Sequence, residues 1–262
     1  MIYSLAKLNK AVVAIGVDLD KPFADNIVNS AIFAKEQGYA KPILVCNKEI
    51  NIEIPFIISN ELEEELISLL INEKVEAIVR GNLSAKTILQ KIKLTFKCNN
   101  LYRITIMEIT NRPIMLAPVG IDEGDTMEDL LEFVIKGKKI ADKFGLKFKV
   151  GVISGGRLED RGRSKKVDEM LNFSEVLVSK IKEMGFDVEN FGIEIERAVN
   201  SSSMILAPDG IIGNLIFRSL VLIANMDSFG AYASALPKVY IDTSRARTSY
   251  LLPIVLASAL AK

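Results

Sequence analysis

The sequence predicts an α/β protein built on mainly parallel sheets with helices on both faces. Three observations predict it. Short apolar, β-branched runs alternate with longer stretches of helical period, and glycines or capping residues punctuate the junctions between them. The chain has 262 residues, 49% of them hydrophobic, which suffices for one large α/β domain or two small lobes sharing a cleft.

The elements follow in order. Residues 11–16 (AVVAIG) read as a buried strand, and residues 22–37 as a helix with Ile27, Ala31 and Ala34 on one face and Gly38 as its stop. Residues 42–46 (PILVC) and 54–58 are the next strands, and Asn60 is placed to cap a helix running to Ile71. Residues 75–80 (VEAIVR) form a strand and 84–96 a helix. Residues 101–108 and 113–117 read as adjacent strands joined by a hairpin through Asn111. Asp125 or Thr126 caps a long helix carrying Leu130, Leu131, Val134, Ile135, Ala141 and Phe144, and Gly145 ends it. Residues 149–154 (KVGVIS) make a strand that opens a Gly/Arg-rich loop. The helix over 165–184 repeats Val167, Met170, Leu171, Leu177, Val178 and Ile181, with Gly185 as its stop. A strand at 186–191, a short helix at 194–200, a strand at 204–207, a helix at 210–224, a strand at 238–242 and a helix at 247–261 complete the reading. Turn residues cluster at 118–124. The expected division is therefore a first lobe of residues 1–120 plus 240–262 and a second lobe of 121–239.

Composition limits the partners. Lys plus Arg and Asp plus Glu number 33 each, so no global field holds nucleic acid or an anionic membrane, and anion affinity must come from a local cluster. Histidine is absent, which removes histidine bases, Ser-His-Asp triads and histidine-ligated metals. An oxygen-ligand cation site stays open at Asp18 and Asp20, although helix capping is the plainer role for that pair; no metal is expected. The two cysteines, Cys46 and Cys98, lie far apart and form no C-x-x-C pair, as fits reduced thiols in the cytoplasm. No apolar run approaches the ~18–20 residues that span a bilayer, and residues 1–10 lack a secretory h-region.

Four strand-to-helix corners carry the candidate chemistry. Pro208-Asp209-Gly210-Ile211-Ile212-Gly213-Asn214 follows an apolar strand and opens a helix, so free N–H groups at the sheet's carboxyl edge favour an anion, with Asp209, Gly213 and Asn214 as candidate contacts. The run from Ser154 to Ser164 (SGGRLEDRGRS) offers Ser154, Gly155, Gly156, Arg157, Arg161 and Arg163 to phosphate or carboxylate oxygens. Glu159 and Asp160 could equally pair with those arginines and leave a solvated loop. In Asp242-Thr243-Ser244-Arg245-Ala246-Arg247, Ser244 could donate to an oxyanion and Arg245 and Arg247 could neutralise phosphate, or the segment could merely cap a helix. Arg80, at the end of its strand before Gly81-Asn82-Leu83-Ser84, is the fourth; a βα-loop with a capping serine is its plainer reading. The chain has neither a Walker A sequence nor G-x-G-x-x-G.

The order of these segments resembles the phosphate acetyltransferase/butyryltransferase superfamily nearly end to end. PDGIIGN matches its P-D-x-x-x-G-N motif in full, and DTSRA resembles its D-L-S-R-G motif. The short length and the SGGRLEDRGRS loop resemble, more narrowly, the MtxX family of methanogenic archaea (methanogenesis marker protein four), whose members carry the label "putative methyltransferase". The resemblance implies two α/β lobes with a ligand cleft, as in the isocitrate/isopropylmalate dehydrogenase architecture, and a homodimer. It implies a small anionic substrate, with coenzyme A or a related thiol or phosphate ligand as cofactor. Ser244 matches the family's oxyanion donor and Arg245 its phosphate clamp. The carboxylate base expected early in the last helix is missing from Thr248-Ser249-Tyr250-Leu251-Leu252, a loss that commonly costs about 10²–10⁴ in rate. The family's glycine after S-R is Ala246, and its Ser-Thr-x-Gly-Ser loop has become the Arg-rich one.

Three functions follow as expectations. One is a transferase of methanogenesis, of methyl or phosphate-acyl type. Another is a non-catalytic binding or assembly factor that keeps the pocket without the base. The third, a metal-dependent decarboxylating dehydrogenase, lacks the Asp cluster facing a Lys/Tyr pair that it requires.

Overall fold

A computed structural model describes residues 1–244 and 249–261. The chain forms two compact units, Met1–Leu101 with Ser228–Lys262, and Tyr102–Asp227.

The first unit begins with α1 (Ile2–Asn9), β1 (Val12–Val17), α2 (Ala24–Glu36), β2 (Lys41–Cys46), β3 (Phe56–Ile58), α3 (Leu62–Ile71), β4 (Ala77–Val79) and α4 (Ala85–Phe96). The second unit follows with β5 (Arg103–Ile109), β6 (Arg112–Ala117), α5 (Met127–Lys143), β7 (Val150–Ile153), a 3₁₀ turn at Leu158–Asp160, α6 (Lys165–Glu183), β8 (Val188–Gly192), α7 (Ile195–Ser201), β9 (Met204–Leu206) and α8 (Gly210–Arg218). The chain then returns to the first unit with β10 (Asp227–Ala233), β11 (Val239–Asp242) and α9 (Leu251–Leu260).

In the first unit the strand order is β3-β2-β1-β4-β11-β10. Its strands pair in parallel except for β10 against β11. The β-branched strands VVAIGV and AIV are buried almost throughout, as parallel strands covered on both faces must be. α9 is apolar all round and eight of its residues are buried, which is the pattern of a helix inside a core. Its lone hydroxyl is satisfied: Ser258 Oγ accepts the Ala11 N–H at 3.1 Å and donates to the Ala6 carbonyl at 3.3 Å. Asn9 donates to the Ser258 carbonyl at 2.9 Å, fastening α1 to α9.

In the second unit the order is β5-β6-β9-β7-β8, antiparallel between β5 and β6 and parallel elsewhere. Thr110 and Asn111 turn the hairpin with φ of 49° and 61°, the paired positive values that a two-residue I′ turn demands. Thr126, Ser164 and Asp209 cap α5, α6 and α8 by accepting the N–H groups of Asp129, Val167 and Ile212 at 3.1, 3.2 and 2.7 Å.

Several elements differ from expectation. α1 and β10 were not anticipated. α8 ends at Arg218 and continues as a single π turn, Ser219–Ile223. Asn60 does not cap α3; the Ser59 hydroxyl accepts the Glu61 N–H at 3.0 Å instead. The boundary between units falls at Leu101/Tyr102, ahead of the 118–124 turn, because β6 passes from its hairpin into parallel pairing with β9 and keeps that turn inside the second unit. Among the described residues no helix is long and apolar enough to cross a membrane.

Candidate functional site

In the second unit, two of the anticipated corners meet around a hollow of about 310 Å³. One wall is the end of β7, residues 152–154, with Pro208 after β9 beside it. The other is a stripe of α6: Lys166, Met170, Phe173 and Leu177 recur at helical spacing and face the same space. Ser154 is buried, donates its hydroxyl to the Gly156 carbonyl at 3.2 Å, and gives its N–H to Gly192 at 2.7 Å. Gly155 lies close under the Met170 side chain, whose thioether would have to turn aside for a Cβ there. Ser174 donates to the Leu171 carbonyl at 2.8 Å and accepts from Asn190 at 2.9 Å, so its hydroxyl is already satisfied. The position is the carboxyl edge of parallel strands, where open α/β sheets bind ligands.

Of PDGIIGN, Pro208 lines the hollow, while the polar groups of the motif serve α8. Asp209 caps the helix. Gly210 and Gly213 let the helix backbone lie on the carbonyls of Gly120 and Pro118, where any Cβ would overlap an oxygen. Asn214 donates its side-chain amide to the Val119 carbonyl at 2.9 Å. The same turn is held from below by Arg103, which bonds Glu123 through its backbone N–H at 3.0 Å and its Nε at 3.2 Å, and Asp122 at 2.5 Å.

The arginines of the loop are all paired, one by a carboxylate within the loop and two by carboxylates outside it. Arg163 pairs with Asp160 at 2.6 Å, and Arg161 binds Asn172 at 2.6 Å and Glu175 at 2.7 Å. The Arg157 guanidinium lies 3.4 Å from Glu194, and the Arg157 backbone N–H donates to Asp160 at 2.9 Å. The hydrogen bond from Arg163, then that from the Arg157 backbone, hold the Asp160 carboxyl below its ordinary range. All three guanidiniums are exposed and already carry carboxylate partners.

In the first unit, the ends of β1, β4 and β11 are tied together. Arg80 is 3% exposed; its Nε donates to Asp242 at 2.5 Å and its Nη1 to the Leu83 carbonyl at 2.7 Å. Burial by itself would lower the Arg80 pKa, but Asp242, with Tyr240 and Tyr250, turns the net shift upward. Thr243 donates to the Gly81 carbonyl at 2.8 Å, and Asn82 accepts from Asp18 N–H at 2.8 Å. Ser84 caps α4 through the Thr87 N–H at 3.4 Å. Ser244 is half-buried, and its carbonyl lies 3.5 Å from the Tyr250 hydroxyl. Arg245 and Arg247 lie outside the described residues.

Asp18 and Asp20 do not cap α2, whose N-cap is Phe23 without a side-chain bond. Their carboxylates meet Lys21 at 2.7 Å, Lys48 at 2.5 Å and Asn47. Among the described residues no group of three His, Cys, Asp or Glu is placed to hold a metal. Cys46 is buried, which pushes its thiol up to about 11.

The sequence reading missed the α6 wall of the hollow. Met170 and Leu177 were in its apolar series, yet Lys166 and Phe173 on the same stripe were the available signal.

No family model matches the chain. The architecture is that of the phosphotransacylases. The chain is similar to a branched-chain phosphotransacylase from Enterococcus faecalis V583, with a TM-score of 0.74 at 14% identity over 95% of this chain and 99% of that one. Sequence identifies the family. The chain is 37% identical to "Putative methyltransferase mtx subunit X" of Methanosarcina barkeri, over 97% of this chain and 95% of the relative. It is 36% identical to the protein of that name from Methanosarcina mazei, over 99% and 93%. The chain belongs to the mtx subunit X family of methanogens.

Proposed function

We propose that this chain is a small-molecule transferase subunit that takes an anionic ligand, of acyl-phosphate or coenzyme A type, at the Ser154 corner. The observation that carries the reading is the hollow in which the corners after β7 and β9 meet. The Ser154-Gly155-Gly156 turn and the Lys166 ammonium, which has no ion pair among the described residues, supply the anion contacts. Arg157, whose 3.4 Å ion pair with Glu194 is longer than those of Arg161 and Arg163, is the arginine of the loop best able to turn to a ligand. A homodimer in the cytoplasm belongs to the same reading, and sedimentation velocity reads its oligomeric part.

The test is calorimetric and thermal titration of the purified chain with inorganic phosphate, acetyl phosphate and coenzyme A. A ligand at a hundredfold excess over Kd stabilises the fold by about 2.7 kcal/mol. Lys166→Glu removes that shift; a shift that survives the substitution, or none with any of the three, refutes the site.

A second reading, binding without turnover, is favoured by α9, which has no acidic residue in its first turn and starts behind the buried Tyr250. Anaerobic assays with acyl-CoA plus phosphate, and with methyl donors plus coenzyme M, separate the two. In the transferase reading Ser244 and Arg245 act as oxyanion donor and phosphate clamp, and Ser244→Ala lowers turnover by about 10²–10³.

A further inference from the structure

We infer that the hollow beneath α6 holds the alkyl arm of an anionic ligand, a chain of about six to eight carbons in a space that would take roughly ten water-sized groups. The inference deepens the reading of the Ser154 corner as a ligand site and rests on it.

The walls decide the class of ligand. Val152, Ile153, Met170, Phe173, Leu177 and Pro208 present carbon and one thioether sulfur. The polar groups among them are already engaged: Ser174 has both a donor and an acceptor partner, and Ser154 is bonded to Gly156. A polar or sugar-like body would leave its own hydroxyls unpaired in this space, whereas an alkyl chain asks for no partner. Met170 adapts to chain shape because its thioether is flexible and polarisable.

The rim decides the charge. Lys166 and Glu169 are both exposed and both line the hollow. Glu169 lies 3.6 Å from the Lys165 ammonium, and Lys166 is the one cation among the described residues that line the hollow. Phe173 is 39% exposed and stands at the same opening, so its ring sets how long a chain can be covered.

The experiment is isothermal titration of the full chain with straight-chain alkanoates from acetate to decanoate, with n-hexanol, n-hexyl phosphate and n-hexylammonium as companions. Affinity rises about fourfold per methylene until the hollow is full, then levels off. Hexanoate and hexyl phosphate bind at least tenfold tighter than hexylammonium. Lys166→Gln brings hexanoate down to the affinity of hexanol, and Phe173→Ala, at a partly exposed position, moves the plateau to longer chains. Affinity independent of chain length overturns the inference. If inorganic phosphate still stabilises the protein in that case, the Ser154 corner stands as an anion site and the alkyl arm alone is refuted. A plateau unmoved by Phe173→Ala, or hexylammonium binding as tightly as hexanoate, overturns it as well.

Discussion

Asn214 donates its side-chain amide to the carbonyl oxygen of Val119 at 2.9 Å, a bond between residues 95 apart in sequence. With Gly210 and Gly213 lying on the carbonyls of Gly120 and Pro118, it clamps the first turn of α8 to the 118–123 segment. A motif that looked like ligand chemistry is thus also a device for bringing two backbones together.

That clamp ranks two substitutions. Asn214→Ala orphans the Val119 carbonyl and costs about 1–2 kcal/mol. Gly213→Ala forces the helix off the Pro118 carbonyl and costs more, about 3 kcal/mol, in the range of an overpacked core. Urea unfolding checks the order; an alanine at 213 milder than one at 214 contradicts the packing argument.

The Arg80–Asp242 pair is buried, with side-chain exposures of 4% and 13%. Asp242→Ala leaves a guanidinium without its counter-charge and destabilises by about 3–5 kcal/mol. Replacing both, as Arg80→Met with Asp242→Ala, recovers much of that loss. A double-mutant cycle with no coupling between the two positions refutes this.

Alkaline pH separates the two thiols. The buried Cys46 titrates near 11 instead of 9.0 because its thiolate would be desolvated, and burial also raises Cys98, less strongly. The unfolded chain therefore loses its Cys46 proton first. The stability this thiol lends is complete below about pH 9 and lost as pH rises to 11, a fall of about 2–3 kcal/mol. Cys46→Ala flattens that part of the stability profile. Alkylation at pH 8 labels the half-buried Cys98 ahead of Cys46, and mass spectrometry reads the order.

Ser202 is 1% exposed, and its Oγ has no partner among the described residues. Ser202→Ala removes an orphaned hydroxyl and raises stability by about 1 kcal/mol. A loss of stability in thermal denaturation would reveal a hydrogen bond that the fold does not display.

Much of this architecture was legible because buried parallel strands announce themselves: AVVAIG, PILVC and KVGVIS are apolar on both faces, and the capping residues Ser84, Thr126 and Asp209 mark where helices begin. α1 was not legible. Its eight residues leave Leu8 78% exposed, and its anchoring comes from docking on α9, a contact that local pattern does not encode. β10 was hidden because DSFGAYA contains no β-branched residue and starts with an aspartate, so pairing with β11 supplies what propensity does not. At the site, the arginines were legible as charges, and Asp160 as a partner, which it is for Arg163; the other two partners were not, because Glu175 and Glu194 lie outside the loop and only the fold brings them to Arg161 and Arg157. The hollow itself depends on how far α6 stands from β7, a spacing no run of residues spells out.

The first unit is sewn from both ends of the polypeptide, with β11 seated beside β4 and α9 against α1, whereas the second is one unbroken stretch. A ribosome therefore delivers everything the middle unit needs before it delivers the strand that completes the outer one. Nascent β1 to β4 must wait, with an apolar flank unsheltered, until Ser228–Lys262 arrives, and that interval is when a chaperone would have most to do.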